Sequence, residues 1–317
     1  MAETRGELQE ILDGLDTSRP QTVRLEGRVY EGKVFSEVSD LTLEGVEDGG
    51  TELVWHEGAF EMQPDGFKRG TFRSYTAFFG GKKLVLRNLT IKNDAGDGRQ
   101  VGQAVAAYLD SAHVLAEDCV FDAYQDTLFL SPLPDEEREP RGFMGPREYE
   151  PRLLTRQVFR RCTIIGDVDF IFGGGDAVFD DCRIICRNRE EEINGFLTAP
   201  CGKKNGLGLV FRNCTITAEQ GTAPGTVFLG RPWRPEGRAV FLNCTTDAAI
   251  APVRFSGWRG VQEPEEEAFF AEYGTVDPEG RQVDLGARNP WVKVLTEKEA
   301  ADLSAAADEL VREVCGQ

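Results

Sequence analysis

An all-β fold, a right-handed parallel β-helix with capping helices at its N- and C-termini, is what this sequence predicts, and three observations point there. A six-residue phrase recurs: Leu86-Arg87-Asn88-Leu89-Thr90-Ile91, then Ala116–Phe121, Phe159–Ile164, Phe179–Ile184, Phe211–Ile216 and Phe241–Thr246. Its fifth positions lie 30, 43, 20, 32 and 30 residues apart, periods that suit one coil of a solenoid, the longer ones carrying inserted loops. Hairpin signals at the spacing of about 8–12 residues that marks a sandwich are few, and strands do not alternate with helices.

Each part of the phrase has a place in such a coil. The fourth and sixth positions, Cys or Leu and then an apolar residue, share one face of a strand and stack inside on neighbouring coils. Thr246 breaks the last slot. Asn or Asp between the apolar flanks suits a bend from one strand to the next. Ahead of the coils, residues 1–16 read as a cap helix, with Leu8, Ile11, Leu12 and Leu15 on one face. Residues 131–156 break the rhythm with Pro132, Pro134, Pro140, Pro146, Pro151 and dense mixed charge. This stretch cannot supply a buried strand; it is an inserted loop, either solvated or a wall beside a binding cleft. Thr296-Glu297-Lys298-Glu299 reads as a capping box opening a C-terminal helix over 296–315, with Leu303, Leu310, Val311 and Val314 at core spacing. The whole of 1–317 reads as a single domain.

Composition excludes several function classes. The 317 residues carry 36 Lys plus Arg against 54 Asp plus Glu, a net charge of −18. That disfavours nucleic acid and an anionic membrane surface as partners, since both need a basic footprint. No run of about 18 apolar residues marks a membrane span. The N-terminus has neither a basic region nor an apolar one, so a cytoplasmic protein is the simplest expectation, or a secreted one whose leader has been removed. Of the 8 cysteines, Cys119, Cys162, Cys182, Cys214 and Cys244 fill the fourth slot of the phrase. They read as buried, reduced packing residues rather than metal ligands. A monomer is expected.

Standard hydrolase arrangements are missing: no G-x-S-x-G elbow, no H-E-x-x-H and no phosphate loop. With His56 and His113 the only histidines, a Ser–His or Cys–His mechanism is disfavoured. What remains is carboxylates set in apolar runs, Asp126 in Tyr124-Gln125-Asp126-Thr127-Leu128 and Asp169 in Asp167-Val168-Asp169-Phe170-Ile171-Phe172-Gly173. Such a carboxylate is paired, hydrogen-bonded or functional. On successive coils two of them would lie about 5 Å apart, and their repulsion would leave one protonated near neutrality. Gln103 lies one coil before Gln125, and Arg231 stands with Trp233 on a turn. Each of these also has a plainer reading, as a solvated amide, a surface ion pair or a core indole.

Taken together the motifs resemble the pectin methylesterase (pectinesterase) family: Gln103-Ala104-Val105-Ala106, Tyr124–Leu128, Asp169–Gly173 and Leu229–Trp233 stand in the family's order. Weaker similarities run through Gly27–Val34, Gly70-Thr71-Phe72, Ser256-Gly257-Trp258 and Phe270–Tyr273. The resemblance implies the same β-helix, no metal and no cofactor, and a methyl-esterified pectin or oligogalacturonide as substrate. It implies Asp169 as nucleophile and Asp126 as general acid, then general base. Gln103 and Gln125 would stabilise the oxyanion and Arg231 would orient Asp169. Thr71, Gln103, Tyr124, Phe170, Arg231, Trp233 and Trp258 would contact the sugar. The sequence departs from the family in the 43 positions between Asp126 and Asp169, a gap lengthened by the insertion. Pectate lyases and polygalacturonases share the solenoid, but the latter's N-T-D and R-I-K blocks are missing. A non-catalytic carbohydrate-binding solenoid would give no reason for Asp126, Asp169, Gln125 and Arg231 to occur together.

Overall fold

Each copy of the phrase turns the chain from one strand into the next through a left-handed residue at its third position. Asn88, Asp118, Arg161, Asp181, Asn213 and Asn243 all have φ between 52° and 55°. Asn and Asp tolerate this conformation better than most side chains. Arg161 does not have that excuse, and its guanidinium donates to both oxygens of Asp118 on the coil before, at 2.8 and 2.7 Å. In this computed structural model, which describes residues 6–47, 49–260 and 267–316, the coils form three parallel sheets of ten, eight and seven strands.

Register follows the phrase. Its sixth positions pair across coils in an unbroken line, Ile91 with Phe121, Phe121 with Ile164, then Ile184, Ile216 and Thr246. Thr246 is buried all the same. The first positions build a ladder of rings, Phe159, Phe179, Phe211 and Phe241, stacked 4.6, 4.5 and 4.5 Å apart. The five phrase cysteines are buried free thiols, and each donates to the carbonyl two residues before it, as Cys119 does to Glu117 at 3.3 Å. Small size and a weak donor that meets a nearby carbonyl explain why cysteine suits that slot.

The N-terminal helix covers the first coil but spans Glu7–Asp13, shorter than the predicted 1–16, of which residues 1–5 lie outside the described residues. Leu8 and Leu12 enter the core, each stabilising by roughly 1.5–3 kcal/mol. Ile11 instead faces outward, 37% exposed, because two turns of helix bury only one narrow i, i+4 stripe. Gln9 pins the helix to the exposed edge strand Val34–Ser36: its amide donates to the Phe35 carbonyl at 2.9 Å and accepts the Phe35 N–H at 2.7 Å. That occupies backbone groups which another chain would otherwise pair with.

The C-terminal helix runs Glu297–Cys315 and opens on the capping box. Its position corrects the expectation of an end cap. It lies along the outer face of the ten-stranded sheet, where Leu310, Val311 and Val314 pack on a stripe of Val85, Leu115, Val158, Val178, Val210 and Val240. One apolar residue per coil faces outward there, and the helix takes that stripe out of water. Phe255, Phe270 and Val292 continue the core into the last coils. Residues 131–155 form no strand, as expected, and leave the solenoid between strands Leu128–Leu130 and Arg156–Arg160.

Candidate active site

The seven-stranded sheet carries the site on its outer face. Strand Leu128–Leu130 pairs with strand Val168–Gly173 through Leu128 and Ile171, so Asp126 and Asp169 occupy equivalent positions two residues upstream. Both adopt left-handed backbone, φ 66° and 52°. Asp126 is anchored by its N–H to the Val168 carbonyl at 3.0 Å. Beside Asp169 the pairing slips by one residue: Val168 opposes Phe196 while Ile171 opposes Thr198. Such a bulge re-aims side chains at functional sites. The two carboxylates open onto one cavity of about 340 Å³, which Gln103, Gln125, Arg231 and Trp233 also line.

The two acids keep different company. Arg231 donates Nε to Asp169 Oδ1 at 2.9 Å and Nη2 to Oδ2 at 2.7 Å, the paired geometry an ionised carboxylate accepts. The guanidinium also lies over the rings of Phe196 and Trp258, 4.0 and 4.6 Å from their centroids. Among the described residues no side chain donates to Asp126. Burial first, then the Asp169 charge and more weakly that of Asp167, push its carboxyl well above the ordinary range, against the opposing pull of Arg231. One acid thus holds its proton beside one that is paired with a cation.

Above them, the side-chain amides of Gln103 and Gln125 line the cavity. Neither hydrogen-bonds to another protein group among the described residues, so both are free to meet a bound molecule. The short helix Gly98–Val101 holds Gln125 in place: a Cβ at Gly98 would come within 2.7 Å of Gln125 Oε1. Trp233 faces Phe72 at 6.3 Å and Phe172 at 5.9 Å, making an apolar floor next to the polar groups. Among the described residues no group of three or more His, Cys, Asp or Glu side chains could hold a metal ion.

Of the residues implied by the resemblance, Thr71, Gln103, Gln125, Asp126, Asp169, Arg231, Trp233 and Trp258 all line this cavity. Two do not. Phe170 is fully buried in the solenoid core, and Phe172 takes its place. The bulge is the cause: it turns Phe170 and Ile171 inward in succession and returns Phe172 to the outer face. Tyr124 packs its ring under Arg187, 4.5 Å away, and does not reach the cavity. Sequence reasoning missed Phe72, next to Thr71, and the cavity-lining part of the insertion, Arg138, Glu139, Gly142 and Phe143. The insertion is therefore a wall of the cleft. A third carboxylate, Asp167, was also missed as an actor. It is 1% exposed, accepts the Val168 N–H at 2.6 Å, and burial pushes its carboxyl up to about 6.

Comparison with known proteins shows the family and the fold. The family description "Pectinesterase" matches residues 17–133 and 152–311. The chain is 30% identical over 303 residues to Pectinesterase 31 of Arabidopsis thaliana, covering 92% of this chain and 84% of that one. A pectin methylesterase from Yersinia enterocolitica superposes with a TM-score of 0.73 at 26% identity, over 95% of this chain and 96% of that one. A pectin methylesterase solved in complex with a hexasaccharide superposes with a TM-score of 0.72 at 26% identity, over 92% of this chain and 89% of that one.

Proposed function

This chain belongs to the pectinesterase family, and from that premise we propose that it hydrolyses the C6 methyl esters of galacturonate units in pectin or its oligosaccharides, releasing methanol. The observation that carries the reading is the unequal pair, Arg231-bound Asp169 beside proton-holding Asp126. Asp169 attacks the ester carbonyl. A carboxylate is a weak nucleophile, so fixed proximity supplies much of the acceleration. The N–H groups of Gln103 and Gln125 meet the negative charge that develops on the carbonyl oxygen. Asp126 gives its proton to the departing methoxy group, which leaves as methanol, and an acyl-enzyme anhydride remains. Asp126, now ionised, takes a proton from water as that water attacks the anhydride. The product acid loses its proton to solvent and departs as a carboxylate, with Asp169 ionised and Asp126 protonated again.

Trp233 and Phe172 offer apolar faces to the sugar's C–H surface. All of these groups come from one chain, so the reaction needs no second copy, and the protein acts as a monomer. Each turnover adds an anion to a saccharide facing a protein of net charge −18. The rate therefore falls as de-esterification proceeds, most steeply at low salt. The test is methanol release from methylated pectin and from methylated oligogalacturonides. The wild type releases methanol, and Asp169→Asn, with circular dichroism unchanged, does not. A wild type that releases none from any of these substrates sinks the reading.

A further inference from the structure

Residues 134–151 fall between the two stretches that match the family, and they form a braced element rather than a loose loop. The Arg152 guanidinium donates to the carbonyls of Pro134, Arg147, Glu148 and Glu150 at 2.6–3.2 Å. The Glu137 carboxylate accepts the N–H groups of Arg141 and Phe143, at 3.2 and 3.1 Å. Thus stiffened, the stretch packs against two segments beside the cavity. Against residues 67–72, the Arg141 guanidinium sits 3.5 Å from the Phe67 ring centroid, and Gly145 lies so close to Phe72 that a Cβ would fall 2.7 Å from its carbonyl oxygen. Against residues 233–234, the Glu136 carbonyl accepts from Arg234 at 2.9 Å. The Phe143 ring stands edge-on to both Phe72 and Trp233, at 5.9 and 6.4 Å. Between these anchors Arg138, Glu139 and Gly142 face the cavity.

We infer that this arch determines substrate size: it turns a groove along the solenoid into a pocket that admits short methyl-esterified oligogalacturonides or chain ends and excludes the interior of a pectin chain. The inference rests on the esterase reading and narrows it. The half-open cavity, of about 340 Å³, lies at the lower end of the range of roughly 300–1,000 Å³ for small-molecule sites. Polymer interiors need a groove open at both ends.

The test compares kcat/KM per ester on methylated trigalacturonide and on pectin of the same degree of methylation. It adds mass-spectrometric mapping of which units of a fully methylated hexagalacturonide lose methyl first. The wild type prefers the trimer by about tenfold or more and strips the hexamer from one end. Arg141→Ala, which frees the arch from Phe67, lowers that preference severalfold. Replacing residues 136–145 with a short Gly/Ser linker nearly removes it and spreads demethylation to interior units. If the linker variant does not fold, the Arg141→Ala ratio and the wild-type map decide. Equal wild-type efficiency on trimer and polymer overturns the inference while leaving the esterase intact, as does a preference unchanged in the variants. No methanol from even the trimer overturns the esterase reading itself.

Discussion

The turn before Leu128–Leu130 and the bulged start of strand Val168–Gly173 stand at the same place on successive coils, yet they deliver acids of opposite character. Both place an Asp in left-handed backbone at equivalent register. What differs is reach from a later coil. Arg231 meets Asp169 with two hydrogen bonds, while Asp126 receives no side-chain donor among the described residues and is raised by burial and by its neighbour's charge. A repeating scaffold therefore supplies position, and a single cation supplies the asymmetry that an acid–nucleophile pair requires.

Removing either acid is the most severe way to break the comparison. Asp169→Asn loses the attacking group and should lower kcat by roughly 10⁴-fold or more. Asp126→Asn loses only proton transfer, about 10²–10⁴-fold. The two variants also part in pre-steady-state mixing, because Asp126→Asn still permits attack on esters with good leaving groups and should give a burst with an activated ester. A burst from Asp169→Asn would exchange the assigned roles. Next in size, Gln125→Leu removes one amide from the cavity while leaving both acids, and should cost about 10²–10³ in kcat with little change in KM. An equal loss in KM alone would make Gln125 a ground-state contact.

The contrast between the two sites also marks what could be read from the sequence. The phrase, with its Asn or Asp bend and stacked Cys and Phe, discloses the coil and its register because every copy obeys the same local rule. Asp126 and Asp169 are legible as carboxylates set in apolar runs, whereas Gln103, Gln125, Arg231 and Trp233 each have a plainer reading alone and gain their roles from the family resemblance. Phe170 and Phe172 did not separate, since the bulge beside Asp169 shifts strand parity by one and leaves no mark in residue type. Nor could spacing show that residues 136–145 pack against both residues 67–72 and residues 233–234. Arg141 on Phe67 is a contact between two irregular segments, where neither period nor propensity constrains the path. The C-terminal helix was legible as a helix, but the outward valine stripe that seats it is visible only once the coils are stacked.

A smaller perturbation sharpens the comparison through pH. The first chemical step needs Asp126 protonated, so activity is lost as pH rises through its pKa. The Arg231 charge pulls that pKa down. Arg231→Ala should thus move the alkaline limb of the residual kcat profile to higher pH, alongside a lower kcat. Arg231→Lys keeps the charge but not the two-pronged geometry, so its alkaline limb should stay near the wild-type position while its kcat falls. A limb that moves equally in both variants would mean that geometry, not charge, governs Asp126.

Asp167 gives the opposite displacement and the smallest effect on chemistry. Its charge raises Asp126, so Asp167→Asn should move the alkaline limb to lower pH, the reverse of Arg231→Ala. The same substitution has a stability consequence whose sign follows from linkage. Burial lifts Asp167 from 3.8 in the unfolded chain to about 6 when folded, so between those values the folded state binds more protons than the unfolded one. Its contribution is therefore most favourable below about pH 4, declines as pH rises, and levels off above about 6 as a penalty of roughly 3 kcal/mol. Asn carries no such penalty and can still accept the Val168 N–H. Urea unfolding should find Asp167→Asn more stable than wild type at pH 7.5 by up to about 3 kcal/mol, with the gap closing at pH 4. A gap that persists unchanged at pH 4 would trace the gain to packing, and would leave the limb shift of Asp126 without its electrostatic cause.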